Sequence, residues 1–188
     1  MNITLVRHGE VMFEGRNKIN GRGNVKLSKK GVLDCLRLKD EIRNKHYDLC
    51  LMSPLARCVE TAMILIGDRV LTQVDDRLIE REMGNYTNKS YKFYNSEKYW
   101  DYELNSSDEG VESIKELFNR CEEFLDDIKN KYTDKEIIIV SHEAVIRALY
   151  CIINKVDLNS NLKEFDIPNC YIKEFKLWGD FHGKRENA

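Results

Sequence analysis

MNITLVRHGE (residues 1–10) begins as an apolar run and ends on charged and polar residues. Met1 to Val6 reads as a short strand, so Arg7, His8 and Gly9 fall where that strand stops. Ligands of open α/β sheets bind outside the carboxyl ends of the strands. An imidazole beside a guanidinium suits an anion there: neutral histidine is a nucleophile near neutral pH, and arginine offers phosphate oxygens a fixed fork of donors. Gly9, with no side chain, would let a substrate approach the backbone. A histidine after a strand is more often an ordinary core or loop residue, so the rest of the chain has to decide.

Working outward, residues 10–27 place Gly15, Gly21 and Gly23 among Arg16, Lys18, Arg22 and Lys26 without periodicity, a basic loop punctuated by glycine. Ser28 can cap a helix running to about Asn44, with Val32, Cys35, Leu36 and Ile42 on one face. Gly31 in its first turn costs about 1 kcal/mol against alanine, which close packing near the site would justify. Asp48 to Met52 is a second strand, and Ser53 with Pro54 suits the N-cap and first position of a helix whose buried face is Leu55, Val59, Ala62 and Ile66. Arg57 sits in its first turn, where the helix dipole favours anions, so an anionic ligand would make sense of it.

Val70 to Val74 predicts a third strand, followed by the charged stretch DRLIEREMG (76–84). Tyr86, Tyr91, Phe93, Tyr94, Tyr99, Trp100 and Tyr102 then predict an inserted helical flap over about 86–110, most of its rings packing on each other and one or two reaching a substrate. Glu112 to Lys131 reads as a long amphipathic helix facing inward with Ile114, Leu117, Phe118, Cys121, Phe124, Leu125 and Ile128. Ile137 to Val140 is a β-branched run expected of a strand buried on both faces. It ends at Ser141 and His142, before an apolar helix, Ala144 to Ile153, and an alternating edge strand, Tyr171 to Trp178. The order βαβαβ, insert, αβαβ predicts one domain over 1–188, a three-layer α/β sandwich with a mostly parallel central sheet and helices on both faces.

With 33% charged residues, both signs interspersed and a formal net charge of −2, the composition speaks against a nucleic-acid-binding surface. The six cysteines form no CxxC pair and mostly sit in apolar runs, so buried reduced thiols in a cytoplasmic protein are expected. Neither a secretion signal nor a membrane span is expected, since no stretch reaches about 18 apolar residues.

Arg7 and His8, Arg57, and Ser141 and His142 each follow an apolar strand, and in a parallel sheet these ends converge. Two arginines and two histidines, without clustered carboxylates to hold a divalent ion, make a pocket for a tetrahedral oxyanion; no metal or other cofactor is expected. A phosphate monoester carries about −1.5 to −2 charges, and one arginine about 4 Å away contributes roughly 4 kcal/mol per unit charge at an effective dielectric of 20. Both arginines also oppose protonation of His8. Other phosphatase chemistries find no footing: no cysteine has arginine six residues on, Asp75 and Asp76 are adjacent rather than spaced as DxD, and a P-loop is missing.

In order and spacing, LVRHGE (5–10), NGRGNVKLSKKG (20–31), SPLARCVETA (53–62), LIEREMG (78–84), EGVESIKELFNR (109–120) and VSHEAVIRAL (140–149) resemble the histidine phosphatase superfamily, of phosphoglycerate-mutase-like fold. The resemblance implies that His8 becomes a phosphohistidine, that Arg7, Arg57 and His142 hold the phosphoryl oxygens, and that Glu80 protonates the leaving oxygen. Glu82, two residues on, is the alternative acid. Where the family usually has asparagine stands Glu14, for which Asn17 could substitute in binding phosphate; its usual aspartate is Asn24, and its glycine after the second histidine is Glu143. Glu143 could raise the pKa of His142, or together with Glu14 mark a site tuned for an unusual substrate or weakened in activity. The expected function is a metal-independent phosphomonoesterase for a small phosphorylated metabolite. α-Ribazole phosphate is a candidate because of the GRxxxxLS loop and the flap aromatics. Phosphoglycerate mutase activity and a catalytically weak phosphate-ligand-binding module are the alternatives.

Overall fold

The computed structural model describes residues 1–12 and 18–177. Its centre is a five-stranded sheet in the order β3-β2-β4-β1-β5, formed by β1 (Asn2–Arg7), β2 (Leu49–Met52), β3 (Leu71–Val74), β4 (Glu136–Ser141) and β5 (Ile172–Lys176). β5 runs antiparallel to β1 at one edge, and the other neighbours are parallel. Ile137 and Ile139 face one side with Ile3, Leu5, Leu49 and Leu51, packing under α4 (Ile114–Lys131) and α5 (Glu143–Ile153). Ile138 and Val140 face the other with Val6, Cys50 and Met52, under α1 (Lys29–Ile42) and α2 (Ala56–Leu65). That alternation is why the strand reads as a continuous apolar run: each side chain leaves water on one face or the other, at roughly 1.5–3 kcal/mol apiece.

The expected three layers and mostly parallel sheet are present, and α4 buries the seven residues predicted for it. Its start is fixed by a capping box, Ser113 Oγ accepting from Glu116 N–H at 3.2 Å and Glu116 Oε2 from Ser113 N–H at 2.8 Å. Ser28 caps α1 as expected, accepting from Gly31 N–H at 2.9 Å.

Three local expectations shift. The buried stripe of α1 is Gly31, Cys35, Leu38 and Ile42, leaving Val32 and Leu36 exposed. Gly31 sets that rotation, because a Cβ there would stand 2.0 Å from the Glu10 carbonyl oxygen. α2 starts at Ala56, two residues past Pro54, and buries Arg57, Cys58, Thr61, Ala62 and Leu65; the free N–H of Ala56 is taken by Asn24 Oδ1 at 2.8 Å. The aromatic stretch is no continuous helix. It is a chain of single 3-10 turns, Gly84–Tyr86 and Tyr91–Phe93, and a five-residue α3, Ser96–Trp100, interrupted by positive φ at Asn88 and Asn105. Tyr94 stacks on Tyr99 with centroids 5.1 Å apart, and Tyr86 meets both edge-on. All six cysteines are free, and no helix of the described residues is long and apolar enough to cross a membrane.

Candidate active site

The carboxyl ends of β1, β2 and β4 bring His8, Ser53 and His142 together because those strands are in parallel register, Arg7 opposite Ser141 and Met52 opposite Val140. His8 N–H donates to the Ser141 carbonyl at 3.0 Å. The imidazoles of His8 and His142 stand edge to face with centroids 5.1 Å apart. Arg57, only 1% exposed, reaches between them: its Nε–H faces His8 Nε2 at 3.2 Å and His142 Nδ1 at 3.1 Å. Nη1 and Nη2 donate to the carbonyls of Gly23 and Gly21 at 2.6 and 2.9 Å. The basic glycine loop is thus anchored on the same guanidinium that touches both histidines.

His8 Nδ1 lies 2.7 Å from the Gly9 carbonyl, which can only accept. The proton is therefore on Nδ1 and a lone pair on Nε2. Burial, then the charge of Arg57 and to a smaller extent that of Arg7, push the His8 pKa down to about 3. His142 is likewise held well below the usual imidazole range, by burial first and then by Arg57 and His8. The expectation that Glu143 raises the His142 pKa is overturned. Glu143 instead pairs with Arg7 at 3.1 Å and Arg147 at 3.0 Å. His142 Nε2 meets Ser53 Oγ at 2.7 Å, which is where the expected cap hydroxyl went.

His8 opens on a cavity of about 900 Å³ bordered also by Arg7, Arg57, Glu80, Arg81, Tyr91, Tyr94, Trp100, Glu143 and Arg147. His142 is behind Arg57 and does not border it. Of the two candidate acids, Glu80 borders the cavity, with Oε1 accepting from Arg81 N–H at 2.9 Å. Burial raises its pKa, partly offset by that backbone donor and by Arg57, with Glu143 adding to the rise. Glu82 turns back on its own chain, Oε1 accepting from the N–H groups of Met83 and Gly84 at 2.9 Å each. Gly9 serves packing rather than substrate approach, since a Cβ would meet Cys35 Sγ at 2.7 Å and the Gly31 carbonyl oxygen at 2.9 Å. Glu14 and Asn17 lie outside the described residues. Among the described residues no group of three or more His, Cys, Asp or Glu is arranged to hold a metal ion.

Several contributors were not singled out from the sequence. Asn169 Nδ2 donates to the His8 carbonyl at 3.1 Å from the turn before β5. Arg81 and Arg147 place their guanidinium carbons 5.2 and 4.9 Å from the centre of the Trp100 ring. A cation inside LIEREMG was visible; that it would be buried under a tryptophan 19 positions later was not, because that contact is tertiary.

Comparison with known proteins identifies the family and the fold. The model of the histidine phosphatase superfamily (branch 1) matches residues 3–183. Phosphoserine phosphatase 1 of Hydrogenobacter thermophilus is 27% identical over 166 residues, 85% of this chain and 79% of that protein. Among solved structures, a mycobacterial glucosyl-3-phosphoglycerate phosphatase superposes with a TM-score of 0.81 at 19% identity, covering 92% of this chain and 88% of its own. A putative α-ribazole-5'-P phosphatase of Escherichia coli gives 0.80 at 21% identity, with 94% and 91% covered; both share the fold. The chain belongs to the histidine phosphatase superfamily and is an enzyme of that phosphatase class.

Proposed function

We propose that the protein is a metal-independent phosphomonoesterase acting on a small phosphorylated metabolite through a phosphohistidine at His8. The observation that carries this is the tautomer: with Nδ1–H tied to the Gly9 carbonyl, Nε2 carries the lone pair, which accepts from Arg57 Nε–H at 3.2 Å, and the imidazole is held neutral in a cationic, buried setting beside the cavity. Nε2 attacks phosphorus and the ester oxygen leaves with the proton of Glu80. Water then attacks the phosphohistidine, gives its proton to the Glu80 carboxylate, and inorganic phosphate departs. Arg7 and Arg57 offset charge on the phosphoryl oxygens. Arg7 is suited to this by its buried Nε, which has no acceptor among the described residues. His142 accepts from Arg57 Nε–H at 3.1 Å and so positions that guanidinium for the phosphoryl oxygens. The raised pKa of Glu80 suits an acid that must be protonated before leaving-group departure.

The names of the relatives widen the substrate question to phosphoserine, glucosyl-3-phosphoglycerate and α-ribazole phosphate. Stacking of a benzimidazole is less well supported than the flap composition alone suggests, because the Trp100 ring is already committed to two guanidiniums and Tyr94 to Tyr99. Neutralisation of Glu143 by Arg7 and Arg147 removes one reason to expect a weak binding module. Acid-quench labelling with a radioactive phosphate donor tests the proposal: wild type forms an acid-labile, base-stable phosphohistidine and releases phosphate, and His8→Ala does neither. EDTA leaves turnover unchanged. Covalent labelling retained in His8→Ala removes His8 from the role, and transfer of the label to a second hydroxyl in preference to water indicates a mutase.

A further inference from the structure

Two thiols that the proposed chemistry does not use meet beside the backbone of His8. Cys35 of α1 and Cys170 of the turn before β5 are 135 positions apart in the chain, and their Sγ atoms stand 3.7 Å apart. Cys35 is buried and Cys170 is partly exposed, whereas the other four cysteines are all buried. Both members of the pair touch the segment that fixes the nucleophile. Cys35 Sγ lies 2.7 Å from where a Cβ on Gly9 would stand, and Gly9 supplies the carbonyl that takes the His8 Nδ1 proton. Cys170 N–H donates to the His8 carbonyl at 3.3 Å, beside Asn169 Nδ2 at 3.1 Å. Cys170 holds φ at +57°, a left-handed conformation that glycine adopts with less strain. A bond from Tyr171 N–H to the Pro168 carbonyl at 3.0 Å closes the turn that keeps it there.

We infer that Cys35 and Cys170 are a reversible modification site, joined as a disulfide by a small hydroperoxide, and that this bond slows the enzyme by displacing the backbone at His8. The thiolate of one cysteine attacks a peroxide oxygen: an S–O bond forms, the O–O bond breaks, and the departing hydroxide or alkoxide takes up a proton. The second thiol gives up its proton and attacks the sulfenic sulfur, so that the S–S bond forms, the S–O bond breaks and water leaves. Each sulfur is oxidised by one electron and the peroxide is reduced by two. Peroxide arrives at Cys170, the member of the pair open to solvent. Ionisation is eased because the S–H of one sulfur bonds to the other: the Cys35 thiol is pushed down to about 7, chiefly by Cys170. That ionisation belongs to the pair, since either sulfur can be the donor, and so the charge also reaches the exposed one. Closing the bond takes the sulfurs from 3.7 Å to about 2.05 Å. β1 is clamped between β4 and β5, so the movement falls to α1 and the turn at 168–171. Either one pulls on the contacts to Gly9 or to the His8 carbonyl, and a misplacement on the order of 1 Å costs about 100-fold in rate.

The test treats the full chain, reduced and then freed of reductant, with a small molar excess of hydrogen peroxide. Wild type loses two hydrogens by intact mass, and a digest without reductant yields the Cys35 and Cys170 peptides joined. Its kcat on p-nitrophenyl phosphate falls by roughly 10- to 100-fold and returns with dithiothreitol. Cys170→Ser keeps its own starting kcat through the same treatment. Cys35→Ser does likewise and covers the case in which the first variant does not fold. Absence of the joined peptides, a crosslink with unchanged kcat, or equal inactivation of wild type and both variants overturns the inference. Calorimetry with inorganic phosphate reads the same displacement without turnover, as weaker binding in the oxidised protein. A protein that crosslinks and loses phosphate affinity but hydrolyses no ester keeps this site and removes the phosphomonoesterase reading. Hydrolysis that peroxide leaves untouched does the reverse.

Discussion

The two walls of the cavity are built differently. On the strand-end wall, His8, Arg57 and His142 are tied to each other and to the backbone of Gly9, Gly21 and Gly23, with every Arg57 nitrogen engaged. On the flap wall, Glu80 and Arg81 follow the turn Asp76–Leu78, Tyr94 follows the turn Tyr91–Phe93 and Trp100 ends α3, and Nη1 and Nη2 of the buried Arg81 have no acceptor among the described residues. A wall whose valences are satisfied internally is preorganised for one chemistry.

The largest expected difference between the walls is at the two buried arginines. Arg57→Ala strands the carbonyls of Gly21 and Gly23 and removes the cation between the histidines. It should lower kcat/KM by at least about 1,000-fold, with a loss of roughly 3–5 kcal/mol in a urea melt. Arg81→Met removes a guanidinium whose Nη1 and Nη2 have no acceptor among the described residues, losing one bond to the Glu112 carbonyl and the contact with Trp100, and should change stability by no more than about 1 kcal/mol. A large loss of stability in Arg81→Met would show that the flap wall is as internally satisfied as the other.

Next comes Glu80 in the proposed role of proton donor. Glu80→Gln should slow alkyl phosphates by about 100- to 10,000-fold and aryl phosphates far less, since only the former need their leaving oxygen protonated. Glu82→Gln, its carboxylate turned to Met83 and Gly84, should show no such selectivity. The opposite pattern would exchange their roles.

A smaller effect is the acid limit of stability. His8 binds its proton less readily folded than unfolded, so the stability it contributes is full above pH 6.5 and is lost on acidification towards about 3. His142 adds in the same direction. The thermal midpoint should therefore fall as pH drops below 6.5, and His142→Gln should flatten that fall; a midpoint independent of pH there would mean that the imidazoles are not buried neutral. Smallest is the coupling between walls. Glu143→Gln removes one contribution that raises the Glu80 pKa, so the alkaline limb of kcat/KM should move to lower pH. A move to higher pH would contradict Glu80 as the acid.

Much of this was legible from local pattern. The β-branched run before Ser141, the seven-residue stripe of α4 and the polar stops after each strand depend on periods of 2 and 3.6 that a chain displays in one dimension. They were enough to predict the parallel sheet and to bring Arg7, His8, Arg57 and His142 to one end of it. The flap resisted the same reading, because rings at irregular spacing carry no period and its turns are set by positive φ at Asn88 and Asn105. The start of α2 likewise depended on a partner 32 positions away, Asn24. Which nitrogen of His8 carries the proton, which glutamate faces the cavity, and which arginine nitrogens lack acceptors among the described residues were decided only by the tertiary structure. Hydrogen-bond valence is a property of what surrounds a group in space, and the residues that fill or fail to fill it come from distant parts of the chain.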